Sequence, residues 1–458
     1  MRMAVMLLVV GIVLVMSVRR PFWGTLAILA SYMIWPIVLE ETWGYFYWWH
    51  IPQALYLAAL VGVAVNGRYM SRMIPRNAMD YGMLGFLLVM VISCLLNGVD
   101  VFENDRVDYF FKCTVLYFLL SRTADTPRKL ALSVLCTGFC VAYLAYTAWW
   151  KYRAGLITPA LPSWSTPVHE FGLQLVLGVP LLGVMIGRRL WLPVRVALLG
   201  SVVLCVLVAM RTESRSTYLG VGLGLLMLAW FHRRHVLLLL LALPLVAFAV
   251  MHNPADVLQR LESIWTHQLP TGEEDRSIQS RYEQVDTALR IISSDPLLGI
   301  GPRQFLMRYL DWVPEEEKHG EGRYTMHSVP LLILCEEGIT GFIMYYGLMA
   351  LGCLLAARRM LRRARDNPEL QPVAVAGTAG ALGFISFLGY GIGQPAMWHI
   401  SIYACVAIVS ACEEYVARSV AAEDETTEVE FGRVALAAPG GAQTEVVFPF
   451  HLPQSPKE

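Results

Sequence analysis

Long apolar stretches recur along the chain, separated by short polar loops. They fall near residues 3–18, 22–39, 51–65, 81–96, 109–120, 130–150, 168–186, 190–210, 217–231, 235–251, 327–356, 374–393 and 396–416. Each predicts a helix in lipid, because only a helix or a closed barrel satisfies its own backbone there, and continuous apolar runs suit the helix. Several fall short of the ~20 residues that cross a bilayer upright, so one pair is open to reading as a re-entrant hairpin. Segment 109–120 carries Lys112 within it. Segment 3–18 has the length of a secretory h-region but no small-residue cleavage site, and Arg19-Arg20-Pro21 leads straight into another span, so it reads as retained. The expectation is an all-α, polytopic membrane protein with about 12–13 transmembrane helices.

Composition agrees with this pattern. Of 458 residues, 56% are apolar and 16% charged, and mean hydropathy is +0.51, whereas a soluble domain carries nearer ~25% charged residues. Soluble enzymes, disulfide scaffolds and disordered proteins fit poorly. Net charge is zero, so there is no general attraction to nucleic acid. The nine cysteines lie in or beside apolar runs, and no CxxC pair occurs. They read as small packing residues.

Loop charge orients the chain. One alternate set of loops holds Arg19 and Arg20; Arg68, Arg72 and Arg76; Arg122, Arg128 and Lys129; Arg188, Arg189 and Arg195; Arg233 and Arg234; and Arg358, Arg359, Arg362, Arg363 and Arg365. The other set holds only Arg2, Arg106, Lys151, Arg153, Arg211 and Arg215. The cation-rich set is expected in the cytoplasm. Aromatic residues 43–49 fit an outer interfacial belt. The chain then divides into N-terminal helices over 1–251, a large outer loop over 252–326, C-terminal helices over 327–416, and a cytoplasmic tail over 417–458 that reads as disordered.

At about 75 residues, the outer loop is far longer than a connector needs. Within it Ile278, Tyr282, Val285, Leu289 and Ile292 share one helical stripe. That predicts an amphipathic helix on the membrane surface, apolar face down, ending before Asp295-Pro296. Arg281 sits at the edge of the stripe, either snorkelling to lipid phosphates or serving a site. Arg211 and Arg215 join two spans on the outer face, where they either anchor the interface beside Glu213 or present planar forks to phosphate oxygens. His327 opens a span that contains Glu336, Gly338 and Gly341. It is either a structural residue or a general base, since an ordinary imidazole titrates near ~6.5. The acidic clusters Glu103-Asn104-Asp105 with Asp108, and Glu273-Glu274-Asp275, read as solvated loop charge or, alternatively, as a hard-cation site. No Walker, dinucleotide or HExxH motif occurs.

Three of these pieces together resemble the O-antigen ligase / O-antigen polymerase family of bacterial envelope glycan enzymes. They are Ser214-Arg215 at an outer span junction, and the loop helix with Arg281 followed by Pro296-Leu297-Leu298-Gly299-Ile300-Gly301-Pro302-Arg303-Gln304-Phe305. The third is His327 with Leu331, Glu336 and Gly338 after it. The likeness covers roughly residues 200–350. Ser328 stands where the family often has Asn, and Arg211 adds a second cation near the first motif. Arg19-Arg20-Pro21-Phe22 with the aromatic segment is similar to the exosortase-associated O-glycosylation ligase branch.

The resemblance implies a GT-C-like, metal-independent glycosyltransferase without cofactor, in the bacterial inner membrane with its site facing the periplasm. The donor would be a glycan on undecaprenyl diphosphate. The acceptor would be a hydroxyl of lipid A-core, another glycan or a protein. Arg215 and Arg281, with Arg211 in support, would hold the diphosphate, His327 would take the acceptor proton, and Glu336 would orient the helix or His327. A polymerase of the same family and a flippase or transporter stand as alternatives. A transporter would show broken helices and related halves around a midplane site, whereas here the candidate charges gather at one face.

Overall fold

The computed structural model describes residues 2–42, 51–157, 161, 167–187, 190–212, 214–231, 276–314, 326–394 and 396–435. The apolar segment 235–251, the aromatic segment 43–49 and the acidic cluster 273–275 lie outside them. Among the described residues every regular element is helical. In chain order these are α1 (Arg2–Arg19), α2 (Pro21–Thr42), α3 (Ile51–Val65), α4 (Ala78–Leu96), α5 (Asp105–Thr123), α6 (Pro127–Arg153), α7 (Val168–Ile186), α8 (Leu192–Ala209) and α9 (Arg215–Phe231). After the gap come α10 (Arg276–Ser294), α11 (Gln304–Trp312), α12 (Val329–Glu336), α13 (Gly338–Asp366), α14 (Gln371–Gly391) and α15 (Ile400–Ala435).

Seven described helices are long and apolar enough to cross a membrane: α4, α6, α7, α8, α13, α14 extended back to Pro368, and α15 up to Ala422. Helix α3 is apolar but shorter. The chain is an all-α, multi-pass membrane protein. Helix α5 coincides with segment 109–120. It is held by Asn104, whose side chain accepts the N–H groups of Arg106 and Val107, and its Lys112 is neutralised by Asp108 one turn back.

Residues Met1–Val416 form one compact unit. Its core lies where α7 and α14 pack against each other and against α9, with α7 buried almost throughout. Small residues allow this closeness. At Gly380 an added Cβ would lie 2.8 Å from the Cys405 carbonyl oxygen, the kind of tight backbone approach on which helix association in lipid relies. At the tail, where the sequence reads as disordered from Ala417, α15 runs on to Ala435. The Ala- and Glu-rich stretch after residue 417 has high intrinsic helix propensity, which the low apolar content of the tail obscures.

The expected continuous span 327–356 is broken. Helix α12 ends at Glu336, the chain turns at Glu337, and α13 starts at Gly338 with φ +66°. Residues 296–301 fill the break. Ile300 and Gly301 donate their N–H groups to the carbonyls of Cys335 and Glu336 at 2.9 and 3.0 Å, and Ile339 and Thr340 donate to Pro296 and Leu297 at 2.8 and 3.2 Å. The break is thus paid back in hydrogen bonds, as backbone at membrane depth requires. Ser93 of α4 fastens the join, its hydroxyl reaching the carbonyls of Leu298 and Glu336 at 2.6 and 3.0 Å. Asn97 binds the Gly299 carbonyl at 3.0 Å and Asn104 the Pro302 carbonyl at 3.0 Å.

At the cation-rich end, Arg122 departs from its reading as a loop cation. Its side chain is fully buried, paired with Asp80 and, at 2.8 Å, with Glu414. Tyr117 donates to Asp80 at 2.6 Å, and Arg76 reaches Glu414 at 2.8 Å. The network ties α4, α5 and α15 together.

Candidate functional site

The site is assembled at the cation-poor end from four segments distant in sequence. His327 lies just before α12. Its backbone N–H donates to the Gln284 side chain of α10 at 3.2 Å, and its imidazole is hydrogen-bonded by Gln394, in the segment between α14 and α15. Nδ1 is buried and makes no hydrogen bond among the described residues. Burial, then the positive charge of Arg281, then His169 push the imidazole below its ordinary pKa, against the hydrogen bond to Gln394. A half-buried, neutral imidazole with a free ring nitrogen is in the form that accepts a proton.

Arg281 is half-buried on the face of α10 that packs against the protein. That face carries Gln284, Thr287, Ala288 and Ile291, all buried, and the Cys335 thiol of α12 meets the Ala288 carbonyl at 3.7 Å. The apolar stripe of the sequence reading points the other way: Tyr282 is 63% and Leu289 52% exposed. Such a helix keeps its apolar side for lipid while Arg281 turns inward, near enough to His327 for its positive charge to disfavour protonation of the imidazole. Inward placement favours a role in a site over snorkelling.

Arg215 is the first residue of α9 and is half-buried. Ser214 caps that helix, accepting the Thr217 N–H at 3.4 Å. The next residue, Ser216, donates to the Gly393 carbonyl at 3.2 Å, and Gln394 follows directly. Ser216, next in the chain to Arg215, is therefore linked to His327 through two consecutive residues of one loop. A helix N-terminus with an arginine favours an anion. The Arg211 guanidinium lies 5.6 Å from the Tyr152 ring centroid.

Glu336 does not hold His327. Its carboxylate accepts the Phe305 N–H at 3.2 Å, at the start of α11, and a second bond from the Arg303 backbone. Arg303 precedes α11 in the left-handed conformation, φ 67°, a strain of about 1–3 kcal/mol. These bonds and the 2.9 Å Arg303–Asp105 pair sustain it. The motif Pro296–Phe305 is thus a clasp between α12, α13 and α4, which Glu336 closes.

A cavity of about 110 Å³ is lined by Met326, the residue before His327, and by Arg106, His169, Glu170, Glu336 and Trp398 among others. Arg106 stacks over Trp398 at 5.0 Å. Sequence reasoning counts His169 among scattered outer histidines without ligand spacing and passes over Glu170 and Trp398; only folding brings the three together. The sole hint was charge on otherwise apolar segments. The Glu103–Asp108 cluster is occupied in helix capping and ion pairs. Among the described residues no three His, Cys, Asp or Glu side chains converge as a cation site.

No curated protein matches the chain. Residues 200–346 contain Arg211, Arg215, Arg281, the clasp, His327 and Glu336, and they match the family model described as O-antigen ligase. Over that stretch the chain is similar to the O-antigen ligase family.

Proposed function

We propose that the protein transfers a glycan from undecaprenyl diphosphate to an acceptor hydroxyl at the periplasmic face of the bacterial inner membrane. What supports this reading is the nearness of Arg281 and Gln394 to His327, with Ser216, the neighbour of Arg215, bonded to Gly393 beside Gln394; Arg215, Arg281 and His327 all fall in the stretch that matches the family model. The cation-poor loops around that end support the periplasmic assignment.

The acceptor oxygen bonds to the anomeric carbon as the bond from that carbon to the phosphate oxygen breaks. Its electron pair leaves with undecaprenyl diphosphate, and the acceptor proton passes to His327. Charge grows on the diphosphate as the bond breaks. Arg215 and Arg281 stabilise it most where it is largest, which lowers the barrier rather than merely binding substrate. Guanidinium forks match two phosphate oxygens each, so the chemistry works without a metal ion. Depression of the His327 pKa keeps it neutral and ready to accept the proton at neutral pH. The cavity edged by Arg106, Glu170 and Trp398 suits the polar groups and the apolar face of a sugar. Arg211, stacked on Tyr152, has a supporting part, and Glu336 acts by holding the clasp.

The test is glycan transfer in membranes carrying Arg215→Ala, Arg281→Lys or His327→Ala at matched expression. Each is expected to lose about 10²-fold or more, and near-normal transfer in all three refutes the assignment. Product length separates the two family activities, since a ligase caps its acceptor once and a polymerase yields ladders.

A further inference from the structure

A second cavity lies at the opposite, cation-rich end, bounded by α9, α13 and α14, with a volume of about 710 Å³. That is within the ~300–1,000 Å³ of small-molecule sites. Its walls are apolar, with Leu226, Leu354 and Leu382 among them. They open outward, because Leu226 is 65% and Trp230 73% exposed. Trp230 is fifteen residues along α9 from Arg215, about 22 Å at helical rise, so this groove is separate from the site above.

Three arginines of α13, Arg358, Arg362 and Arg365, line one end of the groove. Spacings of four and three place them on one helix face. All three are exposed. Their neighbour Arg359 is paired with Glu413, but none of the three makes an ion pair among the described residues. An apolar slot with an uncompensated cationic rim and an aromatic side chain at its edge fits one ligand class.

We propose that this groove binds an anionic phospholipid of the cytoplasmic leaflet, acyl chains along Leu226, Leu354 and Leu382 and the phosphate among Arg358, Arg362 and Arg365. A basic pocket between transmembrane helices on the cytoplasmic side is where such headgroups are held. Free phosphate would leave the apolar walls unused. A zwitterionic lipid would leave the three charges unbalanced.

The experiment uses full-length protein purified in detergent. Thermal stability and native mass spectrometry are read on addition of phosphatidylglycerol, phosphatidylcholine or inorganic phosphate. The expected result is a retained phosphatidylglycerol molecule and a raised melting temperature, weaker binding of phosphatidylcholine, and no effect of phosphate. The triple variant Arg358→Gln/Arg362→Gln/Arg365→Gln should lose about tenfold or more in phosphatidylglycerol affinity, whereas Arg363→Gln, outside the groove, should not. If the triple variant fails to fold, Leu382→Trp supplies the same reading by filling the slot with the arginines intact. Equal binding of the two lipids overturns the proposal, as does stabilisation by phosphate alone. So does unchanged phosphatidylglycerol affinity in the triple variant or, where that does not fold, in Leu382→Trp.

Discussion

Replacing Gly338 by alanine tests the clasp that sets His327 in place. Gly338 has φ +66°, a left-handed conformation that costs an L-residue about 1–2 kcal/mol. A Cβ there would also overlap the carbonyl carbon and oxygen of Leu297, backbone atoms that cannot swing aside. Relief requires residues 296–298 to retreat, which breaks the Ile339–Pro296 and Thr340–Leu297 hydrogen bonds of 2.8 and 3.2 Å. Leaving such groups unsatisfied costs about 1–3 kcal/mol each. Gly338→Ala should therefore destabilise by about 3–8 kcal/mol. Gly347→Ala is the control, since its added Cβ would meet only Ile343 at 3.6 Å. Denaturation of both variants in detergent, beside transfer assays in membranes, measures the effect. Gly338→Ala within about 0.5 kcal/mol of wild type and fully active would refute the clasp.

Three further outcomes follow. Arg122→Met leaves Asp80 and Glu414 buried without their cation and should cost about 3–5 kcal/mol, seen as a lower melting temperature or lost expression. Transfer should need neutral His327, so activity should fall as pH drops through its pKa. The acid limb should lie below ~6.5 and move upward in Arg281→Gln, which removes a positive neighbour; an unmoved midpoint in the residual activity would contradict the pairing. Arg211→Lys, keeping a cation over Tyr152, should retain most activity, in contrast to Arg215→Lys, as initial transfer rates would reveal.

Much of the helical framework is legible because lipid imposes a simple rule: long apolar runs become helices. Segments 51–65 and 168–186 coincide with α3 and α7 to the residue. Arg215, Arg281 and His327 stand out in sequence because charged or titratable groups beside apolar spans need a reason. The tertiary structure alone reveals that Arg281 turns inward while Tyr282 and Leu289 turn out, since helical spacing defines a stripe but not the neighbour it meets. It alone assigns Glu336 to the Phe305 N–H rather than to His327. It also buries Arg122, which linear charge counting leaves in a loop. Periodicity is a local property that the chain carries with it. Which groups share a partner depends on contacts between residues tens to hundreds of positions apart, such as Ser93 with Glu336 and Arg122 with Glu414, and these exist only once the helices have packed.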